Sequence, residues 1–236
     1  GCQQLPAVKH DTAQGSFLLN PLRKSRELAD LVGVESLDDP RLAMAALWIV
    51  YEQQKSAFAE LPDLQQVAQT MDFPLINVLA QMEFRGIKID ASKLEKMNKS
   101  LAQEITAVQQ NIYDMVGYEF NVASPAQLAS ALFDKLLLPT AGIKKGKTGY
   151  STNQKELDKL RGQHPIIELV ERFRELSKLQ NTYVAALPEQ TDANGYIHTT
   201  FNQDVTATGR LSSTNPNLQN IPIRTELGRK IRDAFV

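Results

Sequence analysis

The sequence predicts an α+β chain, predominantly α-helical, in which long antiparallel helices precede a shorter segment of strands. Three observations predict it. Apolar residues recur at steps of three or four from Leu94 to Met115 and again from Ile166 to Leu179. The period changes to two between Tyr196 and Phe201. The chain has 236 residues, 42% of them hydrophobic and 22% charged, enough to bury a core in one or two domains. That composition excludes general disorder and collagen-like or low-complexity fibre. The single cysteine, Cys2, excludes an internal disulfide framework and a multi-cysteine zinc site. His10, His164 and His198 are scattered and form no ligand cluster. No apolar run reaches the ~18 residues that span a bilayer, and the N-terminus lacks a signal-peptide pattern. The expectation is a soluble, reduced, cytoplasmic protein without a membrane partner.

The elements follow in order. Ser16-Phe17-Leu18-Leu19 is an apolar patch stopped by Asn20-Pro21. From Pro40 to Leu61, Leu42, Ala45, Ala46, Ile49 and Val50 have helical spacing, with proline in the first turn where its missing N–H costs little. Leu61-Pro62 is expected to close that run and Phe73-Pro74 to open the next helix, which ends at Arg85-Gly86. Ile87 to Asp90 reads as an extended link. The seam Leu94, Met97, Leu101, Ile105, Val108, Ile112, Met115 then predicts a long helix suited to an antiparallel partner, ended by Gly117. Ser124-Pro125-Ala126-Gln127 is a capping box opening a helix to about Leu137. Residues 139–152 read as a loop rich in Lys, Gly and Thr. A second long helix is expected from Pro165 to near Leu187-Pro188, the pair flanking the basic loop like a finger. Tyr196 to Phe201 alternates as a strand. Thr206 to Ile223 is too rich in polar residues, glycine and proline for a regular helix, and Arg224 to Val236 returns to helix or strand. A chain closing on Ala234-Phe235-Val236 reads as cut from something larger, with residues 221–236 expected to fray in isolation or to be ordered only by another chain. No internal repeat is present.

Charge is unevenly spread. The net charge is −1, which excludes a globally basic nucleic-acid binder, but residues 1–140 carry a net −5 and residues 141–236 a net +4. The basic second part is suited to an anion, although ordinary scatter of surface charge gives the same counts.

The densest signal is Thr206-Ala207-Thr208-Gly209-Arg210-Leu211-Ser212-Ser213 followed by Asn217-Leu218-Gln219-Asn220-Ile221-Pro222. Hydroxyls and amides that donate and accept stand beside one arginine with its rigid fork of donors. Such a set suits an acceptor-lined surface such as a duplex minor groove, where every base pair offers acceptors at similar places. The other reading is a loop whose amides and hydroxyls satisfy its own backbone.

The run TATGRLSSTNPNLQNIPIRTELGRKIRDAFV resembles the segment that opens the palm of family A DNA polymerases, the bacterial DNA polymerase I group. Four further blocks match in order and spacing: LINVLAQMEFRGIKID, YEFNVASPAQLASALFDKLLLP, KTGYST and FRELSKLQNTY. The resemblance covers residues 72–236 strongly. Residues 1–71 match more weakly, at HDTAQGSFLLNP, the tail of the 3′–5′ exonuclease-like domain. It implies three domains: an exonuclease-like remnant over 1–71, a thumb over 72–190 and the beginning of a palm over 191–236. The fold becomes long antiparallel thumb helices followed by the first palm strands.

The resemblance also implies roles. The thumb helices would hold the product duplex, with Lys144, Lys145 and Lys147 at the thumb tip and Arg174 and Lys178 on the following helix near the phosphate backbone. Such contacts release counterions and make binding salt-dependent; a flexible loop and a solvated helix face are the plain alternatives. Arg210 would reach the minor groove at the primer-terminal pair, Asn217, Gln219 and Asn220 would contact the template and the nascent pair, and Arg224 would lie toward the incoming nucleotide phosphates. The implied partner is primer–template DNA, with deoxynucleotides bound only by the complete enzyme.

The same resemblance says what is missing. Family A nucleotidyl transfer uses two Mg2+ ions held by palm aspartates, the first expected about a dozen residues beyond Val236. The nucleotide-gripping fingers helix is also outside the sequence. Asp233 and Glu226 precede the metal-binding strand and do not replace it. No residue here is assigned a catalytic or metal-binding role, and the chain alone is expected to be inactive unless a second chain supplies the rest of the palm and the fingers. The exonuclease Tyr-x-x-x-Asp motif is absent too: Tyr51 is followed at that spacing by Lys55. Two other functions fit the bare sequence: a stand-alone DNA-binding accessory module, and a helical protein-interaction module using the Leu94–Met115 seam.

Overall fold

The computed structural model describes residues 6–147 and 149–236; Cys2 and Thr148 of the KTGYST block lie outside the described residues. Helix α1 (Thr12–Leu19) starts where the Asp11 carboxylate accepts from Gln14 N at 2.7 Å. After the short α2 (Leu28–Val32), α3 (Pro40–Ala59) is capped by Asp39 with proline in its first turn. The chain is then helical almost without pause: α4 (Pro62–Val67), a π-helical turn (Ala68–Asp72) and α5 (Phe73–Arg85) run on in sequence. Pro62 therefore opens a helix where the sequence predicts only an end, and Pro74 interrupts nothing. It follows a wide turn in which Phe73 N donates to Ala68 O, so its missing N–H falls where the bonding pattern has already shifted.

Strand β1 (Ile87–Lys88) leads into α6 (Ala91–Val116), capped by Asp90 and ended by Gly117 in the left-handed region. Helix α7 (Pro125–Ala129) continues as a π-helical stretch (Ser130–Lys135). Gln127 does not reach back to its cap residue; its Oε1 accepts from Asn121 N at 2.8 Å. The stretch read as a loop contains a hairpin, β2 (Lys145–Gly146) with β3 (Gly149–Tyr150). Then come α8 (Gln154–Asp158), α9 (Ile166–Leu179), a π-helical turn (Gln180–Val184) and α10 (Ala186–Glu189). The last elements are β4 (Tyr196–Ile197), β5 (Thr200–Asn202), β6 (Ser212–Thr214) and α11 (Glu226–Arg232). The result is predominantly helical with short strands, as predicted.

Two compact units result. The first combines the chain up to Ile87 with Tyr196–Ile221. Its core holds Phe58, Ala68 and Phe73, with Leu18, Leu19, Leu64 and Ile76 packed on them. The His10 ring packs between Tyr51 and Phe73 and shares a 2.8 Å hydrogen bond with Gln54 Oε1. The first half of α3 leaves Leu42, Met44, Trp48 and Ile49 exposed. Strands β5 and β6 pair antiparallel, Thr200 opposite Thr214 and Asn202 opposite Ser212.

The second unit comprises Lys88–Gly195 and Pro222–Val236. Helices α6 and α9 pack on each other. Of the predicted seam, Leu94, Leu101, Val108 and Ile112 are buried, Met97 and Ile105 are half-buried and Met115 is exposed; Val170, Phe173 and Leu176 of α9 are also inside. The C-terminal residues, expected to fray, are packed in this unit. Ile231 and Ala234 are fully buried, Asp90 N donates to Ala234 O at 2.8 Å and Val236 N to Lys88 O at 3.0 Å. The tail finds its strand partner within this unit, in the link before α6.

Candidate nucleic-acid interface

The residues implied as DNA and nucleotide contacts divide between the two units. Arg210, Asn217, Gln219 and Asn220 stand in the first; Lys144, Lys145, Lys147, Arg174, Lys178 and Arg224 stand in the second.

In the first unit the loop from Gln203 to Leu211 joins β5 to β6. Its own polar groups shape it: Gly209 N donates to Thr206 O at 2.9 Å, and Thr206 Oγ1 donates to Arg210 O. Gln219 Nε2 donates to Leu211 O at 2.9 Å, and Asn217 Oδ1 accepts from Gln219 N at 3.1 Å. These bonds are those of the self-satisfied loop. Gln219 and Asn217 satisfy backbone groups of the segment, and Arg210, Asn217, Gln219 and Asn220 are exposed. Beneath them Thr199 Oγ1 donates to Pro216 O at 2.7 Å and Leu218 N to the buried Ser213 Oγ at 3.1 Å.

The hairpin is docked from below by α5. Glu83 Oε1 accepts from Phe201 N at 2.5 Å, and Glu83 O lies 2.7 Å from His198 Nδ1. At Gly86 φ is +67°, and a Cβ there would stand 2.8 Å from Ile197 O, so only glycine lets the two backbones approach. A cleft of about 220 Å³ lies beside this contact, lined mainly by Val78, Met82, Ile87, Ile197 and Phe201.

In the second unit Lys144, Lys145 and Lys147 are exposed on the β2–β3 hairpin. Lys145 Nζ stands 5.1 Å above the Tyr150 ring. Glu156 fixes the base of the hairpin: one carboxylate oxygen accepts from Lys159 Nζ at 2.6 Å and Lys144 N at 3.1 Å. Those donors, Lys159 first, hold the Glu156 carboxyl below its ordinary range. Lys178 is exposed on α9 one turn after Arg174. Arg174 is half-buried, and its guanidinium donates to Thr152 O and, at 3.2 Å, to Thr152 Oγ1. Burial lowers its pKa from the usual arginine value. Its donors therefore tie the segment after β3 to α9, beside a cleft of about 350 Å³ lined by Gly146, Gly149, Tyr150 and Arg174. Arg224 is exposed just before Thr225, the cap of α11.

The supports Glu83, Gly86, Glu156 and Thr152 are the residues that sequence reasoning missed. Only the Glu156–Lys159 spacing is visible in the sequence as an i,i+3 pair. Among the described residues no group of three or more His, Cys, Asp or Glu could hold a metal ion. No helix among the described residues is long and apolar enough to cross a membrane.

Residues 91–236 match the family model described as DNA polymerase family A. The chain belongs to DNA polymerase family A. It is 46% identical over 259 aligned positions to DNA polymerase I of Geobacillus stearothermophilus, covering 99% of this chain and 29% of that relative. It is 50% identical over 165 positions to the thermostable DNA polymerase I of Thermus caldophilus, covering 69% of this chain and 20% of that protein. Among solved structures it superposes on the POL domain of Pol1 from M. smegmatis, in complex with DNA primer-template and dNTP. The TM-score is 0.85 at 38% identity, over 98% of this chain and 42% of that one. The chain thus spans under a third of the length of these polymerase I relatives.

Proposed function

We propose that this chain is the primer–template-gripping part of a DNA-directed DNA polymerase acting in replication and repair, non-catalytic by itself. The observation that carries the reading is the superposition of nearly the whole chain on a family A polymerase domain that holds primer–template DNA. On this reading the chain has three segments: a remnant of a 3′–5′ exonuclease-like domain over 1–71, a thumb over 72–190 and the beginning of a palm over 191–236. In this reading Lys144, Lys145, Lys147 and Lys178 meet the phosphate backbone, and Arg174 supports them by holding the segment after the hairpin. Arg210 enters the minor groove, with Asn217, Gln219 and Asn220 beside it, and Arg224 faces nucleotide phosphates once the active site is complete. Deoxynucleotides and two Mg2+ ions belong to the complete enzyme, in which a longer chain or a second chain adds the remaining palm and the fingers.

Anisotropy titration of a labelled primer–template at several salt concentrations tests this. Affinity is expected to fall as salt rises. Arg210→Ala is expected to weaken binding about tenfold at every salt concentration. Removing one hairpin lysine is expected to lower the salt slope by about one. Salt-independent binding, or none from a folded chain, would sink the proposal. A stand-alone accessory module predicts the same binding but no primer extension when the missing palm and fingers are added as a second chain. The protein-interaction reading on the Leu94–Met115 seam loses most of its surface, because Leu94, Leu101, Val108 and Ile112 are buried in the unit where α6 packs on α9, leaving only Met115 exposed.

A further inference from the structure

We infer that Arg26 is a positioning residue for the Arg210 loop, acting through Asp204, an inference that rests on the DNA-gripping reading above. Arg26 lies in the segment between α1 and α2, far in sequence from the hairpin, yet in the same compact unit. Its side chain is only 12% exposed. The guanidinium lies over the Phe17 ring, 5.1 Å from its centroid, and one terminal nitrogen donates to Pro21 O at 3.0 Å. The other terminal nitrogen is 3.9 Å from Asp204 Oδ2, while Nε is buried with no hydrogen-bond partner. A cation withdrawn from water and incompletely hydrogen-bonded depends on the anion beside it, here Asp204.

Asp204 is the second residue of the loop that leaves β5. Its neighbour Gln203 is held as well, donating from Nε2 to Asp72 O at 3.2 Å, and Asp72 in turn accepts from Gln14 of α1 at 2.8 Å. The ascending shoulder of the loop is thus fixed from α1 and its following segment, at Gln203 and Asp204. The far side is fixed from within, by Thr206 on the Arg210 carbonyl and Gln219 on the Leu211 carbonyl. Between these anchors the backbone that carries Arg210 is held, so the base of its side chain is preorganised for a groove before DNA arrives. The N-terminal segment is then a working part of the grip through a contact that makes no approach to DNA itself.

Amide hydrogen exchange of residues 205–211 in the full chain tests this for R26A, R26K and D204N, alongside primer–template anisotropy in wild-type and R210A backgrounds. R26A and D204N are expected to speed exchange in the loop about tenfold while α5 amides stay as slow as in the parent chain. R26K, which keeps the charge beside Asp204, is expected to stay near wild type. R26A is expected to weaken DNA binding about fivefold, an effect absent in the R210A background. Unchanged loop exchange, equal acceleration in α5, or the same loss of affinity with and without Arg210 would overturn the inference. If the unsubstituted chain binds no primer–template, the proposed function fails, and the exchange comparison alone decides whether Arg26 orders the loop.

Discussion

Glu156 gathers two donors on one oxygen, the Lys159 ammonium and the Lys144 backbone N–H, and with them fixes the hairpin that presents the lysines. Because these donors favour the carboxylate, the folded-state pKa lies below the ordinary 4.5. A lowered carboxyl pKa contributes stability that is fully present above the unfolded value and lost as pH falls through the folded one. The melting temperature is therefore expected to be flat with respect to this group at neutral pH and to decline on acidification below about pH 4.5. Glu156→Gln should melt lower at pH 7 and show a shallower acid decline, read by thermal melts from pH 7 downward. An acid limb identical in both proteins would remove Glu156 from the account. At this scale the sequence shows residue types without their engagements. The Lys144–Lys147 cluster was legible because charge and glycine stand together in one short stretch. Arg174 was legible only as a cation on a helix; that it donates to Thr152, 22 positions away, depends on folding.

Elements were legible wherever burial imposes a period. The α6 seam repeats every three or four residues because one face packs in the unit's core, and the same logic places α9. Two-residue strands such as β2 and β3 impose no period, so that hairpin reads as a loop. The π-helical turns are equally silent, which is why the sequence predicts a helix only from Phe73-Pro74 onward although the helical run begins at Pro62. Within α6 the depth of burial makes a graded prediction. Ile112 is fully buried, so Ile112→Ala should cost about 2–5 kcal/mol in urea unfolding. Met115 closes the same seam but is 39% exposed, so Met115→Ala should cost well below that, near the ~0.5 kcal/mol of surface positions. Equal costs would mean that the seam does not carry the packing of α6.

Over the whole molecule the chain crosses between its two units and back: Tyr196–Ile221 completes the first, and Pro222–Val236 returns to the second. The resemblance divides the chain at residues 71 and 190, but packing divides it by which surfaces bury one another. That division was not legible, because Ile231 meets its unit only after a separation of more than a hundred residues from α6. The return has an energetic consequence. Burial of Ile231 alone stabilises the second unit by about 1.5–3 kcal/mol, and the hydrogen bonds of Ala234 and Val236 fix the link that leads into α6. Gly228 keeps α11 close to Pro222, since a Cβ there would stand 2.3 Å from Pro222 O. A chain ending at Ile221 should therefore lose stability in the second unit, with a melting temperature lower by about 5 °C or more. Amide exchange at the start of α6 should quicken, whereas the β5–β6 amides of the first unit should exchange as before. Gly228→Ala in the full chain should move the same α6 amides in the same direction by prising the tail away. If truncation leaves the melt and the α6 amides untouched, the tail adds nothing to the unit, and the contacts of Ala234 and Val236 are incidental to its stability.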